Sequence, residues 1–375
     1  MWYTELMDKP NLKDFYHGNL TWLVPNTIFL TLHGSHAYGT STPTSDVDVK
    51  GIAIPPAEYY LGFNKVFEQA EFKEPDGVVY ELRKFFRLAR DCNPNIIEVL
   101  NTDESDWIGI TPLGRKIMDN RDLFISMKAK HTFSGYAHAQ LKRINTHYRW
   151  LKNPPTQPPT RETYGLPAKS VIPMDQLNAA MTETKKKVES WDINWDVLDP
   201  AETVIMKERL SMMMAEVKLT IEDKWIVAAK TLGFDNNFIY LLQQEQGYKQ
   251  KCADWDSYQE WKKSRNPQRS ILEEKYGYDT KHGMHLVRLM KMCREIITTG
   301  KIIVKRPDAE ELLSIRNGAW SYDELIEWSD KQELELSELY KTCRVIRMQP
   351  DNDKLDALCA EVISEALDRS TTKIW

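Results

Sequence analysis

Two aspartates one residue apart, Asp46 and Asp48, head the alternating run 46-DVDVKGIAI-54, which stops at Pro55-Pro56. Side chains on a strand alternate between faces, so the two carboxylates point the same way. Aspartate is a poor strand former, and like charges on one strand face repel unless something positive lies between them. The pair is therefore either a solvated turn or part of a metal site. The residues around it favour the metal site. An apolar run, 27-TIFLTL-32, ends at His33-Gly34-Ser35, and a third extended run, 76-DGVVYEL-82, opens on another acid.

Hard cations such as Mg²⁺ take carboxylate oxygens and keep places for phosphate and water. Two such ions, about 3.5–4 Å apart, can clamp the attacking and leaving oxygens of an in-line displacement. That arrangement calls for a third carboxylate from a neighbouring strand. Asp76 is the first candidate. Glu81 is the second, although it lies five residues on and faces the other way as long as the strand continues. Gly34 lets a backbone come close to a phosphate, and the Ser35 hydroxyl with the amides of the turn 36-HAY-38 can bind anionic oxygens.

The chain has 375 residues, enough for two domains. A net charge of -5 argues against an overall basic nucleic-acid binder and leaves local basic patches open. Five scattered cysteines with no Cys-x-x-Cys pair read as neither a zinc site nor a disulfide framework. No apolar run approaches the length of a membrane span, and 1-MWYTELMDKPNLKDF-15 has no apolar signal-peptide core. The expected setting is cytoplasmic, with no membrane association.

The spacing predicts an α+β fold: a sheet-bearing domain over 1–125 and a larger, mostly helical domain over 126–375. Residues 83–92 and 95–103 read as short helices and 128–151 as one long helix. The stretch 152–173, with six prolines, reads as a loop. Further helices are expected over 201–231, 254–264, 279–299, 308–316, 321–344 and 351–369.

The segment 281–306 carries seven Lys or Arg against one Glu. On a helix Lys281, His285 and Arg288 share a face, and a cationic stripe suits a triphosphate or an RNA backbone as well as it suits solvent. His282 and His285 lack the partners of a zinc helix. Lys142, Arg143 and His147 on the long helix, and 262-KKSRNPQR-269, read as solvated surface. Trp191, Trp195, Trp225, Trp255 and Trp261 read as packing residues. Glu98 stands either near the site or in a helix-capping turn.

The stretches 34-GSHAYGTSTPTSDVDVKGI-52, 80-YELRKFFRLARDCNPNIIEVL-100 and 276-YGYDTKHGMHLVRLM-290 resemble the DNA polymerase beta superfamily of nucleotidyltransferases, and within it the members associated with RNA ligases in RNA repair. The resemblance implies a polymerase-beta-like domain. In it Gly34, Ser35 and Ser45 hold the triphosphate of an NTP, with Lys281, His285 and Arg288 as further nucleotide-binding residues. Asp46 and Asp48 bind two Mg²⁺ ions, with Asp76 or Glu81 completing the carboxylate set. It implies transfer of a nucleoside monophosphate to a hydroxyl on an RNA or tRNA end. Transfer to a protein side chain or small molecule, and a non-catalytic nucleotide-binding scaffold, are the competing readings.

Overall fold

In a computed structural model, the structure describes residues 16, 18–170, 172–189, 221–265 and 267–371. It contains a small mixed sheet in the N-terminal region, followed by a mostly helical remainder. The strands are β1 (Thr27–His33), β2 (Asp48–Ala53), β3 (Gln69–Lys73), β4 (Asp76–Glu81) and β5 (Trp107–Ile110), in the order β3-β4-β2-β1-β5. The β2–β4 pair is parallel and the other pairs are antiparallel.

The helices of this first part are α1 (Gly34–Tyr38), α2 (Glu58–Leu61), α3 (Leu82–Arg90), α4 (Pro94–Leu100), α5 (Pro112–Asp119) and α6 (Lys128–Lys152). Then come α7 (Met174–Glu189), α8 (Ile221–Thr231), α9 (Asn236–Ser264), α10 (Pro267–Tyr276), α11 (Thr280–Thr299), α12 (Ala309–Arg316), α13 (Tyr322–Thr342) and α14 (Asn352–Thr371).

The period of two sorts each strand between two apolar clusters. Leu30, Val49, Ala53 and Val79 join Leu23 in a small cluster. Phe29 and Ile52 face the main core, which they share with Phe85 and Ile97 from α3 and α4, Phe133 and Ile144 from α6, and Met290 and Ile296 from α11. That shared core explains the division of the chain. One compact unit comprises Met1–Lys152 with Asn266–Trp375, and the other is Asn153–Arg265. The segments 1–125 and 126–375 thus remain a division by composition, sheet-bearing then helical, while the compact units follow a different line. In the second unit α7 packs on α8, and the half-buried Arg161 donates to Glu245 on α9.

Most of the expected elements are present, with ends shifted by a few residues. The long helix is α6, and 279–299 is α11, capped by Asp279, whose side chain accepts from the amides of Lys281 and His282. The helix expected over 254–264 begins far earlier, at Asn236, where Asp235 caps it. Of the helix expected over 201–231, only Ile221–Thr231 falls among the described residues, and Trp191 and Trp195 lie outside them. Strands β3 and β5 were not expected. Both are short edge strands, and QAEFK and WIGI carry too little alternation to stand out. Among the described residues no helix is long and apolar enough to cross a membrane. All five cysteines are free thiols.

Glu81 has a structural occupation. It is buried at the N-cap of α3, where Oε2 accepts from the Lys84 amide at 2.9 Å and Oε1 accepts from the Tyr60 hydroxyl at 3.0 Å. Glu81→Ala is expected to cost about 1–2 kcal/mol, as lost caps do, seen as a lower urea midpoint. Per folded molecule, the activity proposed below should be unchanged.

Candidate active site

One end of the sheet opens into a cavity of about 830 Å³. The parallel register sets Asp48 directly beside Asp76. Asp46 lies in the segment entering β2, two residues before the strand starts. All three aspartates line the cavity, as do Gly34, Ser35, Ser45, Lys281, His285 and Arg288. The structure therefore gathers nine of the ten expected site residues. The tenth, Glu81, does not line the cavity. It pairs with Ala53 at the far end of β4, five residues or roughly 16 Å of strand from Asp76.

Backbone geometry explains the glycine. Gly34 has φ +62°, a left-handed conformation that side chains rarely adopt, and a Cβ there would fall 1.8 Å from Asp48 Oδ2. The Gly34 backbone is thus pressed against the Asp48 carboxylate. Ser45 has a local partner, since its hydroxyl accepts from the Thr42 amide at 2.8 Å and so ties the loop that leads into the aspartates.

The carboxylates act on one another. Burial first, then the charges of Asp76 and Asp46, push the Asp48 carboxyl above its usual range, with Lys50 and Lys281 opposing. Lys50 shares the strand face of Asp48 and lines the cavity. Burial pulls its ammonium below the ordinary lysine value, against the pull of Glu98, Asp48 and Asp76. The sequence reading passed over Lys50, although it continues the period-two series 46, 48, 50. His285 is driven well below the ordinary histidine value by burial and by the charges of Arg288, Lys281 and His282. It is thus a neutral imidazole at neutral pH. Among the described residues no three His, Cys, Asp or Glu side chains stand close enough to form a ready-made metal cage. Uncompensated carboxylates do not draw together by themselves. The donors nevertheless suit a hard dication: three carboxylates converge on one cavity, one of them is disfavoured as an anion by burial and by its acidic neighbours, and Gly34 leaves room beside it.

Arg288 stands differently from the expectation of a free phosphate ligand. It is 5% exposed. Its Nη1 donates to Glu98 Oε1 at 2.5 Å, and its guanidinium lies 3.8 Å from the centre of the Tyr38 ring. Glu98, 1% exposed, also accepts from the Tyr38 hydroxyl at 2.5 Å. The Tyr38 carbonyl accepts from the Arg306 amide at 3.0 Å. Tyr38 ends α1, the turn that starts at Gly34-Ser35, so this buried network ties the Gly-Ser turn to α4 and α11. Glu98 caps no helix; Asn93 caps α4. The signal for Glu98 was its place inside 96-IIEVL-100, a lone acid in an otherwise apolar helix, which demands a buried partner. Arg143, read as solvated surface, lines the cavity from α6.

Residues 12–154 match the family described as the RNA repair pathway DNA polymerase beta family. The match covers less than half of the chain. Within the RNA repair pathway DNA polymerase beta family match lie the Gly-Ser turn, the three aspartates, Lys50 and all of α6. The chain is also 33% identical, over 129 residues, to an uncharacterized 38.9 kDa protein from the nrdC-mobD intergenic region of Enterobacteria phage T4. It is 33% identical over 81 residues to the uncharacterized protein YcgL of Bacillus subtilis (strain 168). These matches cover 31% and 20% of this chain, and 38% and 30% of the two relatives. No solved structure matches the chain.

A carboxyl whose pKa rises on folding holds its proton more tightly in the folded chain, so ionising it weakens the fold. Its contribution is lost as pH climbs from the ordinary carboxylate range through the raised value. Asp48→Asn should therefore raise the melting temperature at neutral pH in metal-free buffer, and the gain should vanish on acidification below the ordinary carboxylate range. Glu98→Ala strands a buried guanidinium and should cost about 3–5 kcal/mol in denaturant unfolding.

Proposed function

We propose that this chain is a Mg²⁺-dependent nucleotidyltransferase that moves a nucleoside monophosphate from an NTP to a hydroxyl on an RNA end. The observation that carries the reading is the meeting of Asp46, Asp48 and Asp76 in one cavity with the Gly34 backbone against the Asp48 carboxylate. The family match to RNA repair supports the acceptor.

In this reading Asp46 and Asp48 would hold two Mg²⁺ ions, with Asp76 completing the set. When bound, the ions supply neutralising charge on the triphosphate and make the acceptor hydroxyl easier to deprotonate. The Gly34 backbone and Ser35 cradle the phosphates. Lys281 meets them as a cation, and neutral His285 meets them as a hydrogen-bond donor. Asp76 accepts the hydroxyl proton at a carboxylate oxygen. The acceptor oxygen bonds to the α-phosphorus, the bond to the bridging oxygen of the β-phosphate breaks, and pyrophosphate leaves. The chain contributes position and preorganised charge rather than a covalent intermediate. Arg288, locked by Glu98 and Tyr38, holds the floor of the cavity in place.

The net charge of -5 keeps a protein or small-molecule acceptor as the second reading. The free thiols fit a cytoplasmic setting.

The test is transfer of label from α-labelled NTP onto total RNA or onto lysate protein, with Mg²⁺ and with chelator. The wild-type protein should label RNA only with Mg²⁺. The double variant Asp46→Asn/Asp48→Asn should lose on the order of 10³-fold or more. Undiminished transfer by the double variant would overturn the carboxylate assignment, and label on protein alone would overturn the RNA acceptor.

A further inference from the structure

Helix α6 has 25 residues and not one Asp or Glu, in a chain that carries 55 of them. It holds six Lys or Arg. The two in its first turn are engaged, Lys128 with Asp91 at 3.0 Å and Lys130 with Glu333 at 3.8 Å. The other four, Lys142, Arg143, Arg149 and Lys152, are exposed, and among the described residues none of them pairs with a carboxylate.

The helix dipole does not account for this pattern. It favours cations in the last turn, which covers Arg149 and Lys152, and it favours acids in the first turn, where α6 has none. Nor does overall composition, since the chain is acidic.

Position gives the four cations a common use. Arg143 lines the cavity of the carboxylates. Its neighbour Lys142 lies about 100° round the helix. There it lines a second, open groove of about 480 Å³ together with Asn145, Thr146 and Arg149. His138, which also lines that groove, pairs with Glu333, as Lys130 does. Lys152, about 80° round the helix from Lys142 on the side away from Arg143, lies beside Tyr148, its ammonium 5.8 Å from the ring centre. From Arg143 to Lys152 the helix rises roughly 14 Å and turns through about 180°, so the cations wind from the cavity rim, over the face that Lys142 and Arg149 share, to its other side.

We infer that the exposed side of α6 is a lane for the phosphate backbone of a single-stranded RNA whose terminal hydroxyl lies in the cavity. Arg143 holds the strand at the rim, and Lys142, Arg149 and Lys152 hold the phosphates that follow. This rests on the proposed RNA acceptor and adds where that acceptor binds.

The experiment measures binding of a fluorescein-labelled single-stranded RNA with a free 3′ hydroxyl by anisotropy across a salt series. The proteins compared are the wild type and the variant Lys142→Gln/Arg149→Gln/Lys152→Gln. Glutamine keeps the helix propensity of these exposed sites, and Lys142→Gln alone serves as a second variant. Each phosphate contact on a single strand contributes about 0.7 to the slope of log K against log salt. The triple variant should therefore bind more weakly, with a slope shallower by about 2, and the single variant with a slope shallower by about 0.7. Calorimetric binding of Mg²⁺-NTP should be unchanged. If the wild type binds RNA and the triple variant matches it in affinity and slope, the lane is overturned while the RNA acceptor stands. If the wild type binds no RNA at low salt, both fall.

Discussion

The parallel pairing of β2 with β4 is the constraint from which the rest of the site follows. It puts Asp48 beside Asp76 with no cation between them in the sheet. Two adjacent carboxylates at a strand end are a standing electrostatic cost, and burial together with the charge of Asp76 raises the Asp48 carboxyl. The surroundings answer it from two directions. Lys50 extends the same strand face, and α11 brings Lys281 across the cavity. Below them the Arg288–Glu98 pair fixes Tyr38, and through it the turn whose Gly34 must lie flat against Asp48. Removing one partner of a buried pair is costly even where the intact pair adds little net stability, so the network serves position more than stability.

The two walls of the cavity differ in how they relate to known proteins. The sheet wall and α6 lie inside the RNA repair pathway DNA polymerase beta family match, residues 12–154. The opposite wall, from Asp279 to Arg316, lies outside it. The three aspartates thus lie in the matched part of the chain.

The carboxylates were legible in the sequence because strand parity is a strict local rule: 46 and 48 must share a face, and an acid opening the next strand completes the pattern. Parity also carried Lys50, which was missed because a lysine after two acids looks like ordinary surface charge. Choosing between Asp76 and Glu81 needed register, a non-local property, and register separates them by the length of β4. Arg288 lines the cavity, but its company was not legible, since Glu98 is 190 residues away in sequence. The edge strands β3 and β5 were too short to show a period. The return of the chain at residue 266 to the unit it left at 152 has no local signal at all, because it depends on which apolar faces meet in one core.

The most direct test is a crystal structure of the protein with a non-hydrolysable NTP and Mn²⁺ in place of Mg²⁺, with the ions located by their anomalous signal. The account predicts metal held by Asp46 and Asp48 with Asp76 completing the set, and the triphosphate over the Gly34-Ser35 turn. Metal bound away from these carboxylates, or a triphosphate seated elsewhere in the fold, would contradict it.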